Sequence, residues 1–411
     1  MSNVLTSDAP PNVASAGPAG LPISGLLALA MAGFIAILTE TLPAGLLPQI
    51  AQGLGVSEVL AGQLVTLYAL GSLLAAIPLM ALTSGWRRRT ALLVAVIGFL
   101  VFNTITTLST NYVLTLVSRF GAGVAAGLAW GLIAGYARRM VHVSQQGRAL
   151  AVAMIGTPIA LSLGLPAGTL LGTLVGWRMT FGIMSGLALV LVAWVLWAVP
   201  DYPGQKAEQR LSVRKVFMTP GVLPVLFVIF TWMLAQNILY IYIAPFLAPS
   251  GLSGRVDTVL LVFGLTALLG IWITGMLIDR WLRKLVLISL AAFALIAVVL
   301  GFGMAIPAVV YVAVAAWGLT FGGAATLLQT ASADAAGDGV DMAQAMVTTS
   351  WNLAIAGGGA VGGVLLQTAG VSMFPWVLVV LLVIAFGAAW TAHAHGFKPG
   401  RRDPGKPASV H

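Results

Sequence analysis

Gly33-Phe34-Ile35-Ala36-Ile37-Leu38-Thr39-Glu40-Thr41-Leu42-Pro43-Ala44-Gly45 places one carboxylate inside an apolar stretch, 22–48, long enough to cross a bilayer. Glu40 is the only acidic residue deep within any long apolar stretch of the chain. A charge in hydrocarbon costs about 3 kcal/mol or more, so such a group faces a protein interior or a watery cavity and marks function. A carboxyl that takes up and releases a proton there is a coupling device.

The rest of the chain has the same character. Of 411 residues, 59% are hydrophobic and 8% charged, and mean hydropathy is +1.01. Soluble domains carry about 25% charged residues, so composition implies an all-α membrane protein. Apolar stretches predict twelve spans: 22–48, 59–82, 90–109, 112–137, 148–174, 179–199, 219–248, 257–279, 283–304, 307–330, 342–369 and 372–393. The least distinct division lies at Trp177-Arg178.

The net charge of +9 does not point to nucleic acid, because Lys and Arg form short clusters between apolar stretches. If these spans are right, 17 of the 20 basic residues lie on one side, with Arg178 and Arg255 opposite and Arg119 within the fourth span. The positive-inside rule makes that side, and both termini, cytoplasmic. No basic n-region opens the chain, so 1–21 reads as a disordered cytoplasmic tail, and 394–411 as a basic one. The absence of cysteine excludes disulfides and thiolate metal sites.

The longest connection, 200–218, separates two six-span bundles, 22–199 and 219–393. The halves echo each other. Ser84-Gly85-Trp86-Arg87-Arg88-Arg89 aligns with Asp279-Arg280-Trp281-Leu282-Arg283-Lys284 at an offset of 195 residues. Parallel six-helix halves with nested repeats are one plan of secondary transporters.

Four motifs carry a family resemblance: Thr39 through Pro48, Arg119 through Gly127, Gly164-Leu165-Pro166-Ala167-Gly168 with Gly176-Trp177-Arg178, and Asn352 through Gly359. Together, over about residues 30–393, the chain resembles the twelve-helix drug/proton antiporter family of the major facilitator superfamily, nearest its sugar-efflux, arabinose-exporter-like branch. The resemblance implies a conformational motif at Gly164, Pro166 and Gly168, and a second at Asp279 and Arg280. It also exposes a departure. The family's acidic residue before the first basic run is missing from Thr83-Ser84-Gly85-Trp86, so a charge latch there is weakened or moved to the second half.

Glu40 and Arg119 are the expected proton-coupling residues. Both fall roughly 10–12 Å below the outer ends of their helices, which permits contact. Competition of a proton or cationic substrate for Glu40, tuned by Arg119, is one reading; a static pair joining two helices is the other. Arg119, Gly123, Gly127, Gly131 and Gly135 recur at four-residue steps, as do Gly164, Gly168, Gly172 and Gly176. Close helix packing accounts for the first stripe. For the second, flanked by Pro158 and Pro166, packing and a rocking kink account equally well.

Trp130, Gln236, Asn237, Tyr240, Trp351 and Asn352 are the substrate-binding candidates, with Trp317 and Gln329 behind them; each amide also serves if it only bonds another helix. Asp334, Asp338 and Asp341 read as a solvated loop, with a latch against a basic loop as the alternative. No phosphate-cradling loop is present, and the four His show no metal arrangement.

The expectation is therefore a transporter, not an enzyme: a monomer in a bacterial inner membrane, without cofactor. It exports a sugar or drug-like molecule against entering protons. A proton-independent facilitator and a proton-coupled importer remain the alternatives.

Overall fold

The computed structural model describes residues 20–205 and 211–400, and every regular element among them is helical. Hydrocarbon offers backbone groups no partner, so an uninterrupted apolar chain must satisfy them within helices. The amino-terminal half contains α1 (Ile23–Gly45), α2 (Leu47–Leu54), α3 (Glu58–Thr83), α4 (Arg88–Leu108), α5 (Tyr112–Arg139), α6 (Gln146–Met154), α7 (Gly156–Ile159), α8 (Leu165–Val175) and α9 (Trp177–Ala198). After the short α10 (Val213–Phe217), the second half contains α11 (Val222–Ile241), α12 (Ile243–Phe246), α13 (Val256–Gly303), α14 (Pro307–Gly322), α15 (Ala324–Ala336), α16 (Val340–Thr368) and α17 (Phe374–Thr391).

Ten helical stretches among the described residues are long and apolar enough to cross a membrane. Two of them far exceed one bilayer, Ser253–Gly303 with 51 residues and Pro307–Thr368 with 62. The first breaks at Trp281, where φ −132° and ψ 26° leave helical geometry. That is the Asp279–Lys284 run, where the charge pattern ends a span. The second breaks after α14 and again at Gly337, whose φ of 54° suits glycine. The indistinct division at Trp177-Arg178 is a one-residue turn at Gly176, with φ 83°. Arg178 stacks on Trp177 at 4.3 Å and donates to the Ser109 and Gly53 carbonyls, tying that turn to two others.

The expected fifth span is not one regular helix. Residues Ala160–Gly164, between Pro158 and Pro166, form a π turn linking α7 to α8. Its glycines sit against α1: Gly156 at the Ala30 carbonyl, Gly164 at Phe34, Gly168 at Leu42 and Gly172 at Leu46. The α5 stripe packs likewise, Gly123 and Gly127 on the α3 backbone from Tyr68 to Ala76, and Gly131 on Met80. Small residues here allow backbones to meet, which drives association where lipid removes the hydrophobic incentive.

The halves meet where α16 packs on α3 and α5, α13 on α6, and α15 on α5 and α6. A strap, residues 200–205, crosses the basic end of the first half. Arg88 N–H donates to the Tyr202 carbonyl at 2.8 Å, Gln205 N–H to the Ser84 carbonyl at 2.9 Å, and the Tyr136 hydroxyl to the Pro200 carbonyl at 2.8 Å. Gly204 lies so close to the Gly85 backbone that a β-carbon has no room. Most of the expected tails 1–21 and 394–411, and Lys206, Glu208 and Arg210, lie outside the described residues. Within the second tail Phe397 is described and fully buried, and its carbonyl accepts a hydrogen bond from Arg283 at 3.1 Å.

Candidate functional site

Arg119 and Glu40 share a level, as their positions along α5 and α1 predict, yet they form no ion pair. The Arg119 guanidinium donates through Nη2 to the Thr39 backbone carbonyl at 2.5 Å, one residue short of the carboxylate. The Tyr68 and Phe181 rings hold it at 4.9 and 5.5 Å, an arrangement that favours a cation. Tyr68 is fixed in turn by its hydroxyl, which donates to the Ala36 carbonyl at 2.8 Å. Asn103 Nδ2 donates to the Thr39 hydroxyl at 3.0 Å, closing the cluster from α4.

This site is under-satisfied. Arg119 is fully buried, and among the described residues its Nε and Nη1 have no hydrogen-bond partner; Asn103 Oδ1 has none either. Each such group costs about 1–3 kcal/mol, more when charged. Glu40 is only partly buried and lies on the same partly exposed face of α1 as Phe34, Ile37 and Ala44. Two free guanidinium donors beside a partly exposed carboxyl form a site able to switch partners.

The other candidates fall in separate places. Trp130 packs its ring over Gly33, about two turns along α1 from Glu40. Gln236 is buried, and its Oε1 accepts the Trp317 indole N–H at 2.6 Å. Tyr240, one turn on, joins Phe263 and Trp317 in an aromatic cluster with ring centroids 5.8 and 6.4 Å away. Asn237 Nδ2 donates to the Met233 carbonyl at 2.7 Å while Gly358 crosses over its backbone. Asn352 Nδ2 reaches the Ser72 hydroxyl at 3.4 Å, joining α16 to α3. Trp351 is partly buried beside it. The structure thus assembles two clusters, one in each half, plus one polar link between halves.

At the basic end only Asp338 fits the solvated loop, exposed on the turn Gly337–Gly339; the other two acidic residues form the latch instead. Asp334 lies on α15 and receives Arg138 at 2.7 Å; Asp341 lies on α16, 4% exposed. Asp341 accepts two hydrogen bonds from Arg139, at 3.0 and 2.9 Å, and pairs with buried Arg88 at 3.2 Å. Gly135 makes this possible, because a β-carbon there would occupy the Asp341 carboxylate position. Asp279 accepts the Gly147 N–H at 2.8 Å and the Arg148 N–H at 3.3 Å, where the first turn of α6 leaves its donors free. Arg280 next to it is exposed. All these contacts join one half to the other, so this end is closed.

Outside the spans, Asp201 carries a clear electrostatic signature. Partial burial pushes its carboxyl up, but the Arg87 side chain at 2.5 Å, the Arg89 N–H at 3.3 Å and both Arg charges outweigh it, holding the carboxyl below the ordinary range.

The sequence profile of the Major Facilitator Superfamily matches residues 29–340. The chain belongs to the Major Facilitator Superfamily. Members of this superfamily are multi-pass membrane transporters, and the chain's similarities run the same way. It is 27% identical over 350 residues to a probable sugar efflux transporter of Helicobacter pylori strain ATCC 700392 / 26695, across 84% of this chain and 89% of the relative. Among solved structures, it superposes on the proton:xylose symporter XylE bound to 6-bromo-6-deoxy-D-glucose with TM-score 0.73, at 15% identity, covering 93% of this chain and 98% of that one. It also superposes on FucP in its outward conformation with TM-score 0.70, at 13% identity, covering 91% and 99%. The superfamily fold, and the sugar-efflux relatives toward which the first-helix motif pointed, are both recovered.

Tyr68, Asn103 and Arg88 were not singled out by sequence reasoning, and the latch that Asp341 forms stood there only as the alternative to a solvated loop. Tyr68 and Asn103 had a signal, since each is a polar side chain within an apolar span. Arg88 looked like one of three equivalent loop cations, and only burial distinguishes it.

Proposed function

We propose that this protein is a proton-coupled secondary transporter of twelve spans, formed when the two overlong helical stretches each divide into two. Both termini lie in the cytoplasm, the bundles run over 22–199 and 219–393, and the chain acts as a monomer in a bacterial inner membrane. It exports a small organic substrate, with a sugar favoured over a drug-like compound by the name its Helicobacter relative carries.

The observation that carries the coupling role is Arg119, fully buried, clasped by two rings, with two donors unpartnered one residue from Glu40. In the cycle, Glu40 takes a proton from outside and releases substrate there. It loses that proton inside, the carboxylate turns to the free Arg119 donors, and substrate rebinds from the cytoplasm. The closed basic end corresponds to the state open outward. One charge crossing 100 mV supplies about 2.3 kcal/mol, and the pH gradient adds to it.

The test is uptake of labelled sugars into everted vesicles acidified inside. Accumulation that collapses with nigericin is expected. Equilibration of sugar without accumulation, indifferent to nigericin, would establish a facilitator, and accumulation confined to right-side-out vesicles would establish an importer.

A further inference from the structure

Four of the buried polar atoms without a partner in the described protein belong to one short helix, α15: Thr326 Oγ1, Gln329 Oε1, Thr330 Oγ1 and Ser332 Oγ. Thr326 and Thr330 are completely buried. Threonines inside helices usually give their hydroxyl to the carbonyl four residues earlier, and here Thr83, Thr104, Thr348 and Thr349 do so. Thr326 and Thr330 do not. Valine has nearly the same shape without the polar atom, so packing alone does not account for a hydroxyl at either position.

The direction of this face is given by its neighbour. Thr326, Thr330 and Asp334 follow at four-residue steps, hence along one side of α15. Asp334 ends the row in its pair with Arg138 of the opposite half, and α15 packs on α5 and α6. The basic end of the row therefore lies against the surface that parts when the basic end opens, while its other end begins beside Gly323, which faces Thr274 of α13. Gln329, three residues after Thr326, borders the same side, while its backbone carbonyl is occupied by Gln344 Nε2 at 3.0 Å.

We propose that Thr326, Gln329 and Thr330 form a transit site for a polyhydroxylated substrate, closed in this structure and uncovered when Arg138 and Asp334 separate. The inference rests on the sugar-export reading above. Two hydroxyls and an amide oxygen offer donors and acceptors without charge, which suits a ligand whose groups are hydroxyls and does not suit an apolar cation. The site stands at the basic-side end of the path, distinct from the Glu40–Arg119 cluster.

The decisive variant is Thr326→Val with Thr330→Val, compared with wild type in sugar transport and in melting of the purified full chain. The expected result is a melting temperature unchanged or raised, with KM for sugar offered from the basic side up about tenfold. An unchanged KM overturns the site, and so does a steep fall in melting temperature without a change in KM, which would make the hydroxyls structural. Because the chain has no cysteine, Thr330→Cys provides an independent probe. In an Asp341→Asn background, an impermeant maleimide applied to the basic side should label it, and saturating sugar should slow labelling severalfold. Absence of labelling overturns the site. Wild-type protein that moves no sugar overturns the export reading beneath it, whereas wild-type transport with an unaltered double variant sinks the transit site alone.

Discussion

Arg139 and Asp341 face each other across the two halves with a bidentate pair of hydrogen bonds, at 3.0 and 2.9 Å, and the same carboxylate neutralises buried Arg88. One acidic side chain thus holds two cations from two different helices. Removing its charge leaves Arg88 buried and unpaired, which costs about 3–5 kcal/mol in comparable sites. Asp341→Asn is expected to tilt the population away from the state closed at the basic end. Distance measurements between spin labels on α6 and α15 would show it, and an unchanged distance distribution would refute the latch.

Gly135→Ala should imitate that variant without touching a charge. The added methyl falls on the Asp341 carboxylate position and crowds Arg139. Gly131→Ala is the control, since it meets only the flexible end of Met80 among near neighbours. If both variants shift the equilibrium equally, the carboxylate is not the reason.

Glu40→Gln is expected to abolish accumulation driven by a proton gradient while leaving insertion, expression and sugar exchange near normal. Glutamine keeps shape and hydrogen bonding but has no proton to exchange. A Gln variant that still concentrates sugar against its gradient would remove Glu40 from the coupling step.

Asp201 gives a pH prediction with a definite sign. Its carboxyl is held below the ordinary value, so its contribution to stability is present above about pH 3.9 and disappears as pH falls through the folded-state value. The effect is small, of order 0–1 kcal/mol, because Arg87 is 67% exposed. The difference in melting temperature between wild type and Asp201→Asn should be constant from pH 7 to about 5 and shrink below that. A difference that persists unchanged near pH 3 would show that the pair contributes nothing through charge.

What could be read from the chain was whatever local pattern encodes. The break at Trp281 follows from a run of charges between two apolar stretches, and the irregular fifth span from Pro158 and Pro166. The latch was misread for a physical reason. Asp334 and Asp341 sit among glycines and look like a wet loop, while their partners lie 196 and 202 residues away. Arg119 illustrates a second blind spot. Its acceptor is the Thr39 carbonyl, and backbone acceptors leave no mark in a residue pattern. Gln236 had the right polarity, but its engagement by Trp317 depends on how α11 packs against α14.

The π turn at Ala160–Gly164 also solves a problem of angular phase. On an ideal α-helix, Gly164 would lie about 80° around the axis from Gly156. Absorbing one residue into a wider turn brings the two to within roughly 20° of alignment, so glycines on both sides of the turn face α1. The wide turn is therefore equivalent to a single inserted residue that keeps one seam continuous. Deleting one residue within it would restore a regular helix and keep the contacts beyond it on the seam, whereas straightening the turn with every residue retained would swing them about 100° off it.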